Sequence, residues 1–132
     1  MPKFKFDLKQ GIIICHAEIA GPKVELSLKM AIDTGATYTM VPIEACVAIG
    51  CSPLRSRRRI EITTGSSIEY VPIITIPKFK ALGVEVKNMD VICHNLPTQS
   101  PVEGLVGLNF LIHFKPFQRF LQDIQSQLRQ LS

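Results

Sequence analysis

The 132-residue sequence has no apolar run long enough to span a membrane. The apolar stretch Ile12-Ile13-Ile14-Cys15 stops at His16, too soon for a signal-peptide core, and Met1 to Leu8 alternates like a strand. Zinc-type cysteine spacing is also missing: Cys46 and Cys51 lie five apart and no matching pair follows. Cys15-His16 and Cys93-His94 are poor chelating pairs, because neighbours on a strand point to opposite faces. No metal or other cofactor is therefore expected. Without an export signal, Cys15, Cys46, Cys51 and Cys93 are expected as reduced thiols in the cytosol. There is no internal repeat or low-complexity tract.

Charge is sparse. Only 20% of residues are charged against 46% hydrophobic, which favours a folded, well-buried chain over a disordered one. The length suits one core and leaves no room for a second. The net charge of +4 equals the count of Arg55, Arg57, Arg58 and Arg59, so the basicity is local. That cluster carries no Phe, Tyr or Trp on which bases could stack, so nucleic acid is not the expected partner. A solvated face or the rim of an interface is the simpler reading.

Most of the chain reads as short strands. Phe4, Phe6 and Leu8 alternate with charged residues, residues 11–20 form a second strand, and Gly21-Pro22-Lys23 is a turn. Val24, Leu26, Leu28, Met30 and Ile32 then share one face of a long strand that feeds directly into Asp33. Thr39 to Val41 is a short strand, and a helix is predicted from Ile43 to Ile49, opened by Pro42 and ended by Gly50. Residues 58–62 and 68–76 pair as a hairpin about Thr64-Gly65-Ser66-Ser67, with Gly65 expected to supply an unusual backbone angle. Pro77 to Gly83 is predicted as a connector, Val84–Ile92 as a strand and 93–101 as a loop. From Glu103 to Leu111 the pattern passes from strand-like to helical. The fold class predicted is all-β, a barrel or sandwich with two short helices.

Asp33 follows a buried strand and precedes Thr34-Gly35-Ala36, a turn in which glycine permits tight geometry and the threonine hydroxyl is expected to hold the backbone. The triplet alone would arise by chance in about one chain in twenty of this length. Its surroundings add weight. Ala31-Ile32-Asp33-Thr34-Gly35-Ala36, the hairpin around Thr63–Ser67 and Leu105-Val106-Gly107 leading into residues 108–112 together resemble the retropepsin-like aspartic proteases, above all their small prokaryotic members.

The resemblance implies a closed barrel of the acid-protease type, one lobe per chain, over residues 1–114, followed by a tail, 115–132. It implies a homodimeric aspartic endopeptidase acting on an extended peptide or protein, with no membrane partner. Asp33, Thr34 and Gly35 are the implied catalytic residues. Ala36 and the flap residues Thr63, Thr64, Gly65 and Ser66 would contact substrate, while Ile32, Leu105, Val106 and Gly107 would support the loop. Two carboxylates sharing a proton can act as base and acid at once, but Asp7, Asp90 and Asp123 are not followed by Ser/Thr-Gly. The second carboxylate must come from a second chain. The alternative is a non-catalytic dimeric peptide- or protein-binding module on the same barrel.

The resemblance is weakest at the C-terminus, where family members usually end in a strand. Phe114, Phe117, Leu121, Ile124, Leu128 and Leu131 instead recur every three or four residues, the stripe of a helix. Too short to be stable alone, this helix must pack on the barrel, pack on a partner's copy, or fray.

Overall fold

The computed structural model describes residues 4–7, 12–63, 65 and 67–131. Eight strands run β1 (Phe4–Asp7), β2 (Ile12–Ala20), β3 (Glu25–Ile32), β4 (Met40–Val41), β5 (Arg59–Thr63), β6 (Ile68–Ala81), β7 (Val84–Cys93) and β8 (Gly104–Val106). The helices are α1 (Ile43–Ala48), α2 (Leu108–Leu111) and α3 (Lys115–Gln130). In the order β2-β3-β8-β4-β7-β6, six strands close on themselves through a β2–β6 pairing, while β1 and β5 flank the ring. Most pairs are antiparallel, but β3–β8 and β4–β7 are parallel, so the barrel is mixed. Closure of this kind removes sheet edges that would otherwise stay unpaired.

Alternation in β3 puts Leu28 and Met30 in the core and Glu25, Ser27 and Lys29 outside. From β2, Cys15, Ala17 and Ile19 meet them, and Ile74, Ile76, Phe79, Val91, Val106 and Phe110 complete the interior. Phe79 and Phe110 pack at a centroid distance of 5.1 Å with planes tilted by 59°, a favourable aromatic arrangement. The Cys46 and Cys93 sulfurs lie 3.1 Å apart in this core as free thiols. Their mutual hydrogen bond, and then burial, push the Cys46 pKa far up, and burial raises Cys15 to about 11. These thiols are poor nucleophiles.

α1 follows the predicted proline and glycine, with Gly50 taking the left-handed φ of 93° just beyond the helix. The predicted connector from Pro77 to Gly83 is instead strand: β6 runs through Pro77 to Ala81 and turns on Leu82-Gly83 into β7. The ladder skips Pro77, which cannot donate, and Asn88 opposite it takes φ 52° before pairing resumes at Lys78–Lys87. Leu82, at φ 53°, adopts a conformation that disfavours a branched side chain, yet it is 5% exposed. Its burial offsets the backbone cost. Among the described residues the glycines at left-handed φ are Gly50 and Gly83; the angle expected at Gly65 depends on Thr64, which lies outside the described residues.

The tail forms the helix α3. Only its beginning is anchored, with Phe114 and Phe117 packed on the barrel core. Phe120, Leu121, Ile124, Leu128 and Leu131 are exposed along the remainder. Within the chain the helix thus covers the barrel by its first turn alone. No described helix is long and apolar enough to cross a membrane.

Candidate active site

β3 delivers Asp33 to the end of the barrel, and β8 fixes it there. Ala31 pairs with Leu105 and Ile32 with Val106, and the Asp33 N–H donates to the Val106 carbonyl at 3.0 Å. The Asp33 carboxylate closes its own turn: Oδ1 accepts from the Gly35 N–H at 2.8 Å, an Asx turn. Ala36 N–H returns to the Asp33 carbonyl at 3.2 Å. The Thr34 hydroxyl, expected to hold this turn, makes no hydrogen bond among the described residues and is exposed. The aspartate side chain does that work, and leaves the threonine free toward solvent.

Behind the loop, the Leu108 and Asn109 N–H groups donate to the Ala36 and Thr37 carbonyls at 2.8 and 3.1 Å. A polar knot locks this contact. Thr39, the one buried polar residue among those described, donates from its N–H and hydroxyl to Asn109 Oδ1 at 2.8 and 2.9 Å and accepts from the Gly107 N–H at 3.1 Å. Asn109 Nδ2 reaches the Asp90 carbonyl at 2.6 Å. Gly107 is required by crowding rather than by φ, which is an extended −98°. A Cβ there would meet the Tyr38 carbonyl carbon and oxygen at 2.6 Å and the Ala36 oxygen at 2.8 Å, all of them backbone atoms. Sequence reasoning missed Thr39 and Asn109; the available signal was a pair of polar residues set in otherwise apolar segments.

Asp33, Gly35 and Ala36 line a cavity of about 780 Å³ whose opposite wall is the β5–β6 hairpin. Thr63 and Gly65 belong to that wall; Thr64 and Ser66 lie outside the described residues. Cross-strand partners share a face, so Ile60 with Val71 and Ile62 with Glu69 point one way, and Glu61 with Tyr70 the other. Val71 packs with Ile73 and Ile92, and Ile60 and Ile62 rest on this cluster beside Tyr38 and Met40. The far end of the cavity comes from Ile92 and the loop His94-Asn95-Leu96-Pro97. Across it, His94 Nε2 stands 3.6 Å from Glu69 Oε2. Neither Glu69 nor His94 was singled out from sequence for this cavity. Thr34 does not line it, and Ile32, Leu105, Val106 and Gly107 sit behind it.

The arginine cluster lies elsewhere. Arg58 makes a two-pronged pair with Asp90, at 2.9 and 2.7 Å, and also reaches the Thr75 hydroxyl at 3.0 Å. The Arg58 guanidinium holds the Asp90 carboxyl below its ordinary range, and the Thr75 hydroxyl adds to this. Arg58 is thus a fastener between the β5 entrance and β7, leaving Arg55, Arg57 and Arg59 on the exposed face. Among the described residues no cluster of His, Cys, Asp and Glu could hold a metal ion.

A chain that ends a buried strand in a braced aspartate, roofs it with a hairpin and backs it with a late parallel strand has the architecture of one aspartic-protease lobe. The fold is similar to the crystal structure of a retropepsin-like aspartic protease from Rickettsia conorii, with a TM-score of 0.63 and 19% identity over 86% of this chain and 88% of that one. No curated protein matches the sequence. Residues 16–113 match the family described as "gag-polyprotein putative aspartyl protease". That match takes in the Asp33 turn, the hairpin and the β8–α2 segment together, and the chain belongs to this retropepsin-like family of aspartyl proteases.

Proposed function

We propose that the chain acts as a homodimeric aspartic endopeptidase, with Asp33 of each copy meeting at a two-fold axis. The observation that carries this reading is the position of Asp33: braced by Val106, it faces a cavity roofed by a hairpin, in a chain with a single Asp-Thr-Gly. One carboxylate cannot both take a proton from water and give one to the carbonyl oxygen of a peptide bond. Two that share a proton can, because like charges at close range do not both ionise.

In the proposed reaction, the ionised Asp33 removes a proton from water as its oxygen attacks the peptide carbonyl. The protonated Asp33 of the other copy donates to the carbonyl oxygen. The resulting tetrahedral species then collapses, with a proton passing to the leaving amine. Thr34, exposed and without a hydrogen-bond partner among the described residues, is available to brace the two loops across the axis. Thr63, Thr64, Gly65 and Ser66 would act as a flap closing over substrate, and Ala36 would line its path. Apolar Ile60, Ile62, Ile92 and Leu96 suit a substrate with apolar side chains. Four cysteines without disulfides fit a cytosolic setting.

Incubating the wild type and Asp33→Asn with a mixed peptide library between about pH 3 and pH 8, then sequencing the products, tests the activity. Cleavage by the wild type alone is expected. Absence of any Asp33-dependent cleavage would leave the binding-module alternative. We assign the exposed stripe of α3 to the subunit contact. Removing residues 117–132 should then lower the solution mass from dimer to monomer, and an unchanged dimer would take α3 out of the interface.

A further inference from the structure

The cleft is acidic in a basic protein. The chain carries 15 Lys and Arg against 11 Asp and Glu, yet among the described residues no Lys or Arg lines the Asp33 cavity, whereas Asp33, Glu61 and Glu69 all do. Of the two glutamates, the register separates their roles. Glu61 shares a face with Tyr70, whose hydroxyl lies 3.4 Å from its carboxylate, on the side of the hairpin away from Ile60 and Ile62. Glu69 pairs across the strands with Ile62, so it is the charged side chain on the face turned toward Asp33.

Glu69 stands at the mouth of the cavity beside Ile62, half-exposed and open to an incoming charge. Glu69 has no lysine or arginine partner within the described residues; the group facing it is His94, at 3.6 Å. That imidazole is a cation only when protonated, and when neutral it leaves the carboxylate unneutralised. The side chain of Glu69 is 45% exposed, so an incoming group can reach it. Asp33 adds negative potential to the same cavity, where low-dielectric walls concentrate it.

Building on the endopeptidase reading, we propose that Glu69 is a specificity-determining residue that receives a lysine or arginine side chain of the bound peptide. The substrate class is then a peptide with apolar side chains against Ile60, Ile62 and Ile92 and a basic side chain within reach of the hairpin. Arginine fits best, because its planar guanidinium can engage both carboxylate oxygens. His94 is the neighbour that shares the same carboxylate, at 3.6 Å.

The test uses the full-length Asp33→Asn protein and fluorescein-labelled octapeptide pools, apolar at the two central positions and carrying Arg, Gln or Glu at the flanks. Binding is followed by fluorescence anisotropy. The Arg pool should bind about tenfold more tightly than the Gln pool, as expected for a charge pair in a partly desolvated cleft. Adding Glu69→Gln should bring that ratio close to one, and Glu69→Lys should invert it in favour of the Glu pool. A purely structural role for Glu69 would not produce inversion. Equal binding of the Arg and Gln pools with Glu69 intact, or binding by none of the pools, overturns the proposal. Parallel digests with Asp33 intact keep the two claims apart. Asp33-dependent cleavage without a basic preference removes this inference alone. Glu69-dependent binding of the Arg pool without cleavage removes the endopeptidase reading alone.

Discussion

The two walls that enclose Asp33 differ in how their backbones are held. On the loop side, β8 and α2 supply a backbone or side-chain partner at Asp33, Ala36, Thr37 and Thr39. On the hairpin side, β5 pairs only with β6 and ends the sheet order. Gly107, behind the Asp33 loop, sits where no added atom fits, while Gly65, in the hairpin wall of the cavity, has no heavy atom within 4 Å of the position a Cβ would take. The difference teaches how a hydrolase of this shape divides its labour. The wall that carries Asp33 is fixed at several points to β8 and α2, whereas the hairpin, the wall proposed to admit a peptide, is held more sparsely among the described residues.

Two glycine substitutions break this comparison most directly. Gly107→Ala drives a methyl into the Tyr38 and Ala36 backbone and should cost about 3 kcal/mol or more. Gly65→Ala should change stability by no more than about 0.5 kcal/mol. Urea unfolding of the two variants checks both, and equal losses would contradict the contrast. Next in size is Asn109→Leu, which leaves the Thr39 N–H and the Asp90 carbonyl without their partner. A loss of about 2–3 kcal/mol is expected, again by urea unfolding, together with reduced turnover because the Asp33 loop loses its backing.

The smallest effect sharpens the comparison at the base of the hairpin. Arg58 depresses the Asp90 pKa. Stability from this pair is therefore present above the unfolded carboxylate pKa, about 3.9, and is lost as pH falls through the lower folded value. Asp90→Asn should be slightly less stable than the wild type at neutral pH, and the two should converge in acid. The pair is half-exposed, with side chains 53% and 36% accessible, so the gap should be small and shrink with salt. Thermal unfolding at several pH values reads it; a gap that widens in acid would contradict the assignment.

Much of the loop side was legible in the sequence because its signals are local and periodic. Alternation from Val24 to Ile32 located β3, Pro42 and Gly50 bracketed α1, and the change of pattern after Glu103 marked β8 and α2. The parts that escaped depend on residues far apart in the chain. Thr39 and Asn109 each stand out only weakly as polar residues, and their pairing spans 70 positions, while the Glu69–His94 contact exists only once the hairpin folds over the end of β7. Pro77 and Gly83 misled for a physical reason. A proline normally ends a strand, but here the ladder skips the Pro77–Asn88 pair, with Asn88 at φ 52°, and burial of Leu82 offsets a strained turn. At the Asp33 turn the carboxylate, not the threonine hydroxyl, closes the turn, and Thr34 is left exposed.

In the proposed dimer each chain holds half of a catalytic site. Mixing wild-type and Asp33→Asn protein at fixed total concentration, re-equilibrating the subunits and measuring cleavage of a library-selected peptide tests it most directly. If both Asp33 residues of a dimer are needed, activity should fall as the square of the wild-type fraction. A linear fall would mean that one Asp33 suffices, and would contradict the account.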